Sequence, residues 1–201
     1  MLKKHSVLIG ILLSITLFCL SAAYYSGGSQ SDKNAVGYDW KNNYLCNLFS
    51  EKAVNGAPNP ARVWAIIGLL SLCLSFARFF YNFSTKIPAE KAANIIKFGG
   101  ISAMFFAFLV VTPYHDLMTT LSSVFALIAI FYITIFIFKS KRHIFKFLCA
   151  ACLAVLYLNN YIYYTQNGLE FLPIFQKISF VMGTIMILGL DYFITKEDFQ
   201  S

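Results

Sequence analysis

Six long apolar runs, separated by shorter polar segments, dominate the chain. They lie at about 7–24, 63–83, 95–111, 117–138, 144–163 and 174–194. Each run is close to the roughly 17–25 residues that a helix needs to cross the hydrocarbon core of a bilayer. The pattern therefore predicts an all-α, polytopic membrane helical bundle, with six transmembrane helices in a single domain over residues 1–201.

Composition and charge support this class and orient the chain. Residues are 58% hydrophobic and only 12% charged, whereas soluble domains are about a quarter charged. Lys and Arg concentrate on one side of the predicted topology, which predicts that both termini are cytoplasmic. The net charge of +7 is then a topology signal that requires no nucleic-acid partner, although the basic face should weakly attract anionic lipid headgroups. Eleven basic residues fall on that side: Lys3, Lys4, Arg78, Lys86, Lys91, Lys97, Lys139, Lys141, Arg142, Lys146 and Lys196.

The first run has a second interpretation, as a cleaved signal peptide. The segment "MLKKH" is basic, and "LSAAYY" places the small residues Ser21 and Ala23 where a cleavage site requires them. The run over 7–24 is longer than a typical signal-peptide core of about 7–15 residues, which favours a retained span. The other five spans keep their orientation under either interpretation. The protein is expected in the cell membrane or a bacterial inner membrane.

A loop over residues 25–61 follows the first span and has two halves. Residues 26–37, "SGGSQSDKNAVG", are small and polar, as in flexible loops. In "YDWKNNYLCNLFSEKA", apolar residues recur every four or five positions, which predicts an interfacial helix at about 38–53. The alternative is a helix that caps the outer mouth of the bundle.

Two ionisable residues interrupt apolar spans. Arg78 and Asp191 lie at similar depth, near the inner ends of the second and sixth spans. Charges are costly within a bilayer, so we predict a structural pair between them, with snorkelling of each side chain to the headgroups as the alternative.

The segment "TPYHDLMTT" opens the fourth span and places His115 and Asp116 in its first helical turn. Three hypotheses remain open for these residues. Asp116 stabilises the helix start through the helix dipole, or His115 acts as a general acid or base on a lipid or quinone-like headgroup. In the third, His115 and Asp116 bind a metal together with Asp39 or Glu51. The chain shows no nucleophile motif or paired-histidine motif, and we name no cofactor.

A candidate ligand pocket follows from residues predicted at the outer side. The fifth span contains "YLNNYIYY", in which at least one of Asn159 and Asn160 is expected to hydrogen-bond to a neighbouring helix. If that partner is the polar start of the fourth span, an outer pocket is enclosed. Its candidate residues are Tyr44, Asn47, His115, Asp116 and Asn160.

These segments carry a family resemblance. "NYLCNLF" after the first span, the following "NGAPNPAR" and "HD" at the fourth span resemble the sparse signature of six-helix membrane proteins of the DRAM, Frag and Sfk type and related bacterial proteins of unknown function. Asn47 replaces a frequent aspartate, and Phe49 a frequent glycine. The resemblance implies a six-helix bundle without established catalysis, whose eukaryotic members are associated with lipid organisation and membrane trafficking.

The functional expectation is a non-enzymatic membrane protein that binds or organises lipid, or assists another membrane protein. The alternative is a membrane-embedded enzyme that uses His115 and Asp116 on a lipid-like substrate. A small transporter is third, because the third and fourth spans carry few polar residues at mid-membrane.

Overall fold

Six long α-helices make up most of the protein. The computed structural model describes residues 5–199; Lys3 and Lys4, and with them most of the basic segment ahead of the first span, lie outside these residues. All six helices are long and apolar enough to cross a membrane. This confirms the predicted all-α six-helix bundle, and the predicted boundaries fall within about five residues of the observed ones. The helices are α1 Ser6–Ala23, α2 Arg62–Ser84, α3 Glu90–Leu109, α4 His115–Lys139, α5 His143–Thr165 and α6 Leu172–Phe193.

Consecutive helices run in opposite directions and pack against each other, and α2 also contacts α6. The bundle therefore has two ends. The termini end carries the start of α1, the end of α6 and the connections 85–89 and 140–142. The loop end carries the segment 24–61 and the connections 110–114 and 166–171.

The closest packing lies toward the termini end of α2. Phe79, Phe80 and Phe83 are almost completely buried. The ring centroid of Phe79 lies 5.3 Å from that of Phe80 and 5.5 Å from that of Phe83. Aliphatic side chains from the surrounding helices complete this core. They include Ile96 of α3, Ile133 and Ile137 of α4, and Met186 and Leu190 of α6.

Small residues on α3 allow its neighbours to approach closely. A Cβ atom at Gly100 would lie 2.0 Å from Cγ of Phe80, so only glycine fits there beside that ring. On the α4 side Ala103 is fully buried, and its carbonyl oxygen accepts a hydrogen bond of 2.9 Å from Ser122 Oγ. Small residues are what close helix packing in membranes requires.

The predicted pair between Arg78 and Asp191 is wrong: no ion pair joins them within the described part of the chain. The Arg78 guanidinium lies over the Tyr81 ring, 5.8 Å from its centroid. The charges of Lys86 and Arg78 both act on the Asp191 carboxylate, but neither side chain forms an ion pair with it among residues 5–199. Lys86 Nζ donates to the carbonyl oxygens of Leu190 and Asp191, at 3.2 and 3.1 Å. The last turn of α6 thus lies beside the end of α2 and the following turn, beyond the level of Arg78.

The C-terminal segment closes the termini end. A short 3-10 helix, Lys196–Phe199, follows α6. Asp198 accepts a hydrogen bond of 2.8 Å from Nε of Arg142, which precedes α5. The Phe199 ring lies 6.1 Å from the rings of both Phe83 and Phe136, so this segment ties three helices together.

Candidate functional site

The segment between α1 and α2 does not form the interfacial helix predicted over 38–53. Within that range only Leu45–Phe49 is helical, as a 3-10 helix. The reason is chemical, because Asn and Asp side chains bind the local backbone in place of helical partners. Asp39 Oδ1 accepts the backbone N–H of Lys41 at 2.9 Å and of Asn42 at 3.2 Å. The backbone N–H groups of this irregular segment are thereby hydrogen-bonded without a continuous helix.

Two asparagines hold this segment in its shape. Asn43 is completely buried; its Oδ1 accepts from Asp39 N at 2.8 Å, and its Nδ2 donates to Gly28 O at 2.9 Å. Nδ2 of Asn59 lies 3.3, 3.2 and 2.9 Å from the carbonyl oxygens of Asn47, Leu48 and Ser50. Each asparagine therefore connects stretches of chain that are distant in sequence.

Tyrosines form a small core beneath these hydrogen bonds. The Tyr38 ring packs between Tyr25 and Trp40, with centroid distances of 5.6 and 5.0 Å. Burial raises the pKa of the Tyr38 hydroxyl, which donates to Tyr44 O at 3.1 Å. Leu48, Ala53 and Ala61 are buried in the same cluster.

The segment docks onto α6 and covers the loop end of the bundle. Lys177 Nζ donates to Asn43 O at 2.6 Å and to Pro173 O at 2.9 Å. The backbone N–H of Leu45 donates to Gln176 Oε1 at 3.3 Å. The bundle mouth is therefore capped, as in the alternative prediction, but by hydrogen-bonded loop rather than by a helix. We call residues 24–61 the roof.

Beneath the roof lies a cavity of about 620 Å³, which we call the chamber. Five helices and the roof contribute to its wall. The apolar part comes from Leu69 of α2, Ala107 of α3, Leu156 of α5, Leu172 and Phe180 of α6, Leu45 and Phe49 of the roof, and Val110 and Leu169 of the connections. The polar part comes from Tyr44, Cys46, His115, Asp116, Thr119, Ser122, Ser123, Asn159, Tyr163, Gln166, Gln176 and Ser179.

Three polar side chains meet at the rim of the chamber. His115 Nδ1 lies 3.0 Å from Asp116 Oδ1, and the Tyr163 hydroxyl donates to the same oxygen at 2.8 Å. The side chain of Asp116 is 86% exposed and that of His115 is 38% exposed. Because Tyr163 belongs to α5, the cluster joins α5 to the start of α4. It leaves Nε2 of His115 as the ring nitrogen that can exchange a proton with a bound molecule.

Deeper in the chamber two polar atoms have no hydrogen-bond partner among residues 5–199. Asn159 Nδ2 donates to Ser179 Oγ at 2.9 Å, joining α5 to α6. Its Oδ1 atom, and Oγ1 of Thr119, are buried and unpaired. A buried unpaired polar atom costs about 1–3 kcal/mol, so a small rotation that exposes either atom to a polar ligand group would be favourable.

The structure brings together only some of the residues of the predicted pocket. Tyr44, His115 and Asp116 line the chamber, but Asn47 and Asn160 do not. Asn47 Oδ1 accepts from Tyr44 N at 2.7 Å, inside the roof, and Asn160 Nδ2 bonds to Leu156 O of its own helix. Asn159, one residue earlier, faces the chamber and makes the predicted interhelical hydrogen bond, because one residue rotates a helix by about 100°.

The candidates for a metal site, His115, Asp116, Asp39 and Glu51, are not brought together as one group. The Asp39 carboxylate binds the roof's own N–H groups and the Asn42 side chain at 2.7 Å. Glu51 Oε1 lies 2.9 Å from Arg62 Nη1, while His115 pairs with Asp116. Within residues 5–199 no group of three or more His, Cys, Asp or Glu side chains could hold a metal ion.

A second cavity of about 410 Å³ adjoins the chamber; we call it the entry pocket. Sequence analysis did not single it out, because its charged wall forms only when Glu51 of the roof meets Arg62 at the start of α2. Cys46 lines both cavities, and burial raises the pKa of its thiol to about 11, so the thiol is protonated at neutral pH. The wall comprises Cys46, Phe49, Ser50, Glu51, Arg62, Val110, Val111, Thr112, Pro113 and His115.

Fold and site together define the class as a multi-pass helical membrane protein with a covered cavity at one end. No protein-family model, curated protein or solved structure matches the chain. The resemblance to the DRAM, Frag and Sfk type therefore stays a prediction, and the function has to be argued from the cavity.

Proposed function

We propose that this protein binds an amphiphilic, lipid-like molecule in the chamber without transforming it. The observation that carries the proposal is the chamber itself. Its volume of about 620 Å³ lies within the roughly 300–1,000 Å³ of small-molecule sites, which are mainly apolar with a few convergent polar groups. Binding or organising membrane lipid is the corresponding role, and assistance to another membrane protein would follow from delivering or holding that lipid.

The polarity of the wall supports an amphiphile. His115 and Asp116 begin α4, and Tyr163 lies in the last turn of α5, so the polar cluster sits at the loop end. Leu69, Leu156 and Phe180 lie about two turns deeper in their helices, where the polar part of the wall consists of small uncharged side chains such as Ser123 and Ser179. A molecule with a polar head toward the roof and a hydrocarbon part toward the bundle centre matches this order, which is also the order of a bilayer.

A lipid-facing groove supports a hydrocarbon chain as part of the ligand. It lies between α4 and α5 and has a volume of about 680 Å³. Leu153 of this groove is one helical turn from Leu156 of the chamber, toward the termini end. The small side chains of Ala150 and Ala154 leave room for such a chain on the α5 side. A chain that leaves the chamber along this seam would therefore stay in apolar surroundings.

The test is a substitution that fills the chamber and leaves the surrounding hydrogen bonds intact. Ser123 lines the chamber, whereas the next residue, Val124, is 48% exposed on the outside of the bundle. Wild type, Ser123→Trp and the matched control Val124→Trp are purified in native-lipid particles, and the accompanying lipids are identified by mass spectrometry. We expect one lipid class to be enriched in wild type and Val124→Trp and lost in Ser123→Trp. Identical bulk-lipid profiles in all three proteins would contradict the proposal.

Acid–base catalysis on the same molecule is the second candidate, and the hydrogen bond between His115 and Asp116 favours it. This bond orients the imidazole so that its other nitrogen is the proton donor or acceptor, the arrangement that general-base histidines use. Cys46, the thiol beside them, is not a ready nucleophile because it stays protonated. Incubation of the enriched lipid with wild type and with His115→Gln separates the candidates. An altered lipid formed only by wild type shows catalysis, and unaltered lipid in both supports binding alone. Transport, the third expectation, stays a prediction.

A further inference from the structure

We propose, on the basis of the lipid-binding function above, that the entry pocket recognises a zwitterionic phosphoethanolamine-type headgroup. The phosphate would bind the Arg62 guanidinium, and the primary ammonium would bind the Glu51 carboxylate. The proposal names the ligand class of a site that sequence analysis did not single out.

The two cavities adjoin at a shared wall. Cys46, Phe49, Val110 and His115 line both the chamber and the entry pocket. In the proposed arrangement, a lipid whose hydrocarbon part occupies the chamber has its headgroup in the entry pocket. His115 stands between the two volumes, where the glycerol and phosphate region of such a lipid would pass.

Arg62 supplies the phosphate-binding edge. It is the first residue of α2, its side chain is 34% exposed, and its Nη1 is bound to Glu51 Oε1 at 2.9 Å. Its Nε is buried and has no acceptor among the described residues. The Nε–Nη2 edge of arginine donates two parallel hydrogen bonds, which is the geometry that a phosphate accepts. After a small rotation that exposes Nε, a phosphate bound there would satisfy this atom while Nη1 keeps its bond to Glu51.

The charge balance decides between headgroups. The side chain of Glu51 is 79% exposed, and the wall of the entry pocket carries one carboxylate, that of Glu51, and one guanidinium, that of Arg62. A headgroup that carries only negative charge would pair with Arg62 and be repelled by Glu51, whereas a zwitterion pairs with both side chains. A primary ammonium also offers three N–H donors to carboxylate oxygens, and a trimethylated ammonium offers none.

The experiment measures headgroup preference with defined lipids. The full chain is delipidated in detergent and mixed with equal amounts of phosphatidylethanolamine, phosphatidylcholine and phosphatidylglycerol that carry identical acyl chains. Retained lipid is then counted by native mass spectrometry. We expect phosphatidylethanolamine to be retained most and phosphatidylglycerol least. One charge-assisted hydrogen bond corresponds to a difference of about tenfold or more.

Three variants test which charged side chain binds which part of the headgroup. Arg62→Gln should reduce retention of phosphatidylethanolamine by about tenfold or more, and Arg62→Lys, which keeps the charge but loses the double-donor edge, should lie between it and wild type. Glu51→Gln should raise the share of phosphatidylglycerol. The matched control Lys52→Gln changes the neighbouring, exposed roof residue, which does not line the pocket, and should leave the order unchanged.

The failures are distinguishable. Equal retention of the three lipids, unaffected by Arg62→Gln but abolished by Ser123→Trp, would overturn the headgroup assignment and leave the chamber as the lipid site. Retention unaffected by Ser123→Trp would overturn the proposed function itself. A phosphatidylglycerol preference in wild type would also overturn the assignment. If Arg62→Gln does not fold, the lipid order of wild type and the effect of Glu51→Gln decide the outcome alone.

Discussion

The two ends of the bundle are ordered by different interactions. At the termini end, aromatic and aliphatic side chains from α2, α3, α4 and α6 are packed without exposure. At the loop end α3 and α4 are less buried: the buried residues of α4 all lie between Ala129 and Ile137, and α3 has none after Ala103. There the roof is held by side-chain amides, and the chamber occupies the space between the helices.

Under the proposed function, the termini end provides the stability of the fold and the loop end provides the ligand site. In a bilayer, apolar side chains gain little from leaving lipid, so helix association depends on close van der Waals packing. One well-packed end can then hold the six helices together, while the other end keeps a cavity open at modest cost. Four predictions test that division, from the largest expected effect to the smallest.

Phe80→Ala should cause the largest loss of stability. Phe80 is 1% exposed and packs against Gly100 and Phe79, and removal of a buried phenyl ring costs about 3–5 kcal/mol. The free energy of unfolding in detergent measures it, with Phe98→Ala as the control because Phe98 is 59% exposed. Equal losses in the two variants would show that the termini end is not the stabilising region.

Asn59→Ala should loosen the roof while the helices stay folded. The substitution leaves three carbonyl oxygens, those of Asn47, Leu48 and Ser50, without their amide donor, at a cost of about 1–3 kcal/mol. Hydrogen exchange should quicken over residues 43–59 and stay unchanged in α2 and α3. Asn34→Ala, at an exposed site, is the control. Faster exchange throughout the bundle would contradict the separation of the two ends.

As the pH falls, the roof should lose stability before the bundle does. This loss should be smaller than the one expected for Asn59→Ala. The hydrogen bond from the Asn42 side chain, with the backbone N–H groups of Lys41 and Asn42, lowers the pKa of Asp39. A carboxylate with a lowered pKa in the folded state stabilises it above the unfolded pKa of about 3.9, and this contribution is lost as the pH falls through the folded value.

The readout is the fluorescence of Trp40, whose neighbour Tyr38 lies 5.0 Å from it, in a Trp64→Phe background that leaves one tryptophan. We expect a change only below about pH 4. In Asp39→Asn that acid transition should be absent. An unchanged transition in Asp39→Asn would assign it to another carboxylate.

Tyr163→Phe should have the smallest effect on stability. It removes the hydrogen bond to Asp116, but that carboxylate is exposed, and such surface interactions contribute about 0–1 kcal/mol. Thermal unfolding in detergent should therefore be nearly unchanged, whereas lipid retention should fall because Tyr163 lines the chamber. A large thermal shift would show that the rim supports the fold rather than the ligand.

The local features of the sequence predicted the helices and part of the site. The predicted spans succeed because the length of an apolar run depends only on neighbouring residues. The sequence also indicated His115 and Asp116 as candidate site residues, because polar residues stand out beside apolar runs. The interfacial helix over 38–53 was wrong, since periodicity could not reveal that Asn43 and Asn59 bind the backbone of that segment. Arg78 was assigned to Asp191 by depth alone, and the register of α6 places Lys86 there instead.

The sequence by itself therefore determined the class of protein, the six helices and the position of a polar start to α4. Only the tertiary structure decided that the roof covers a chamber, that Asn159 rather than Asn160 faces it, and that Arg62 meets Glu51 at its entrance. The physical reason is that apolar length and helix termini are properties of local sequence. The rotation of each helix about its axis and the folding of an irregular loop depend on contacts between residues far apart in the chain.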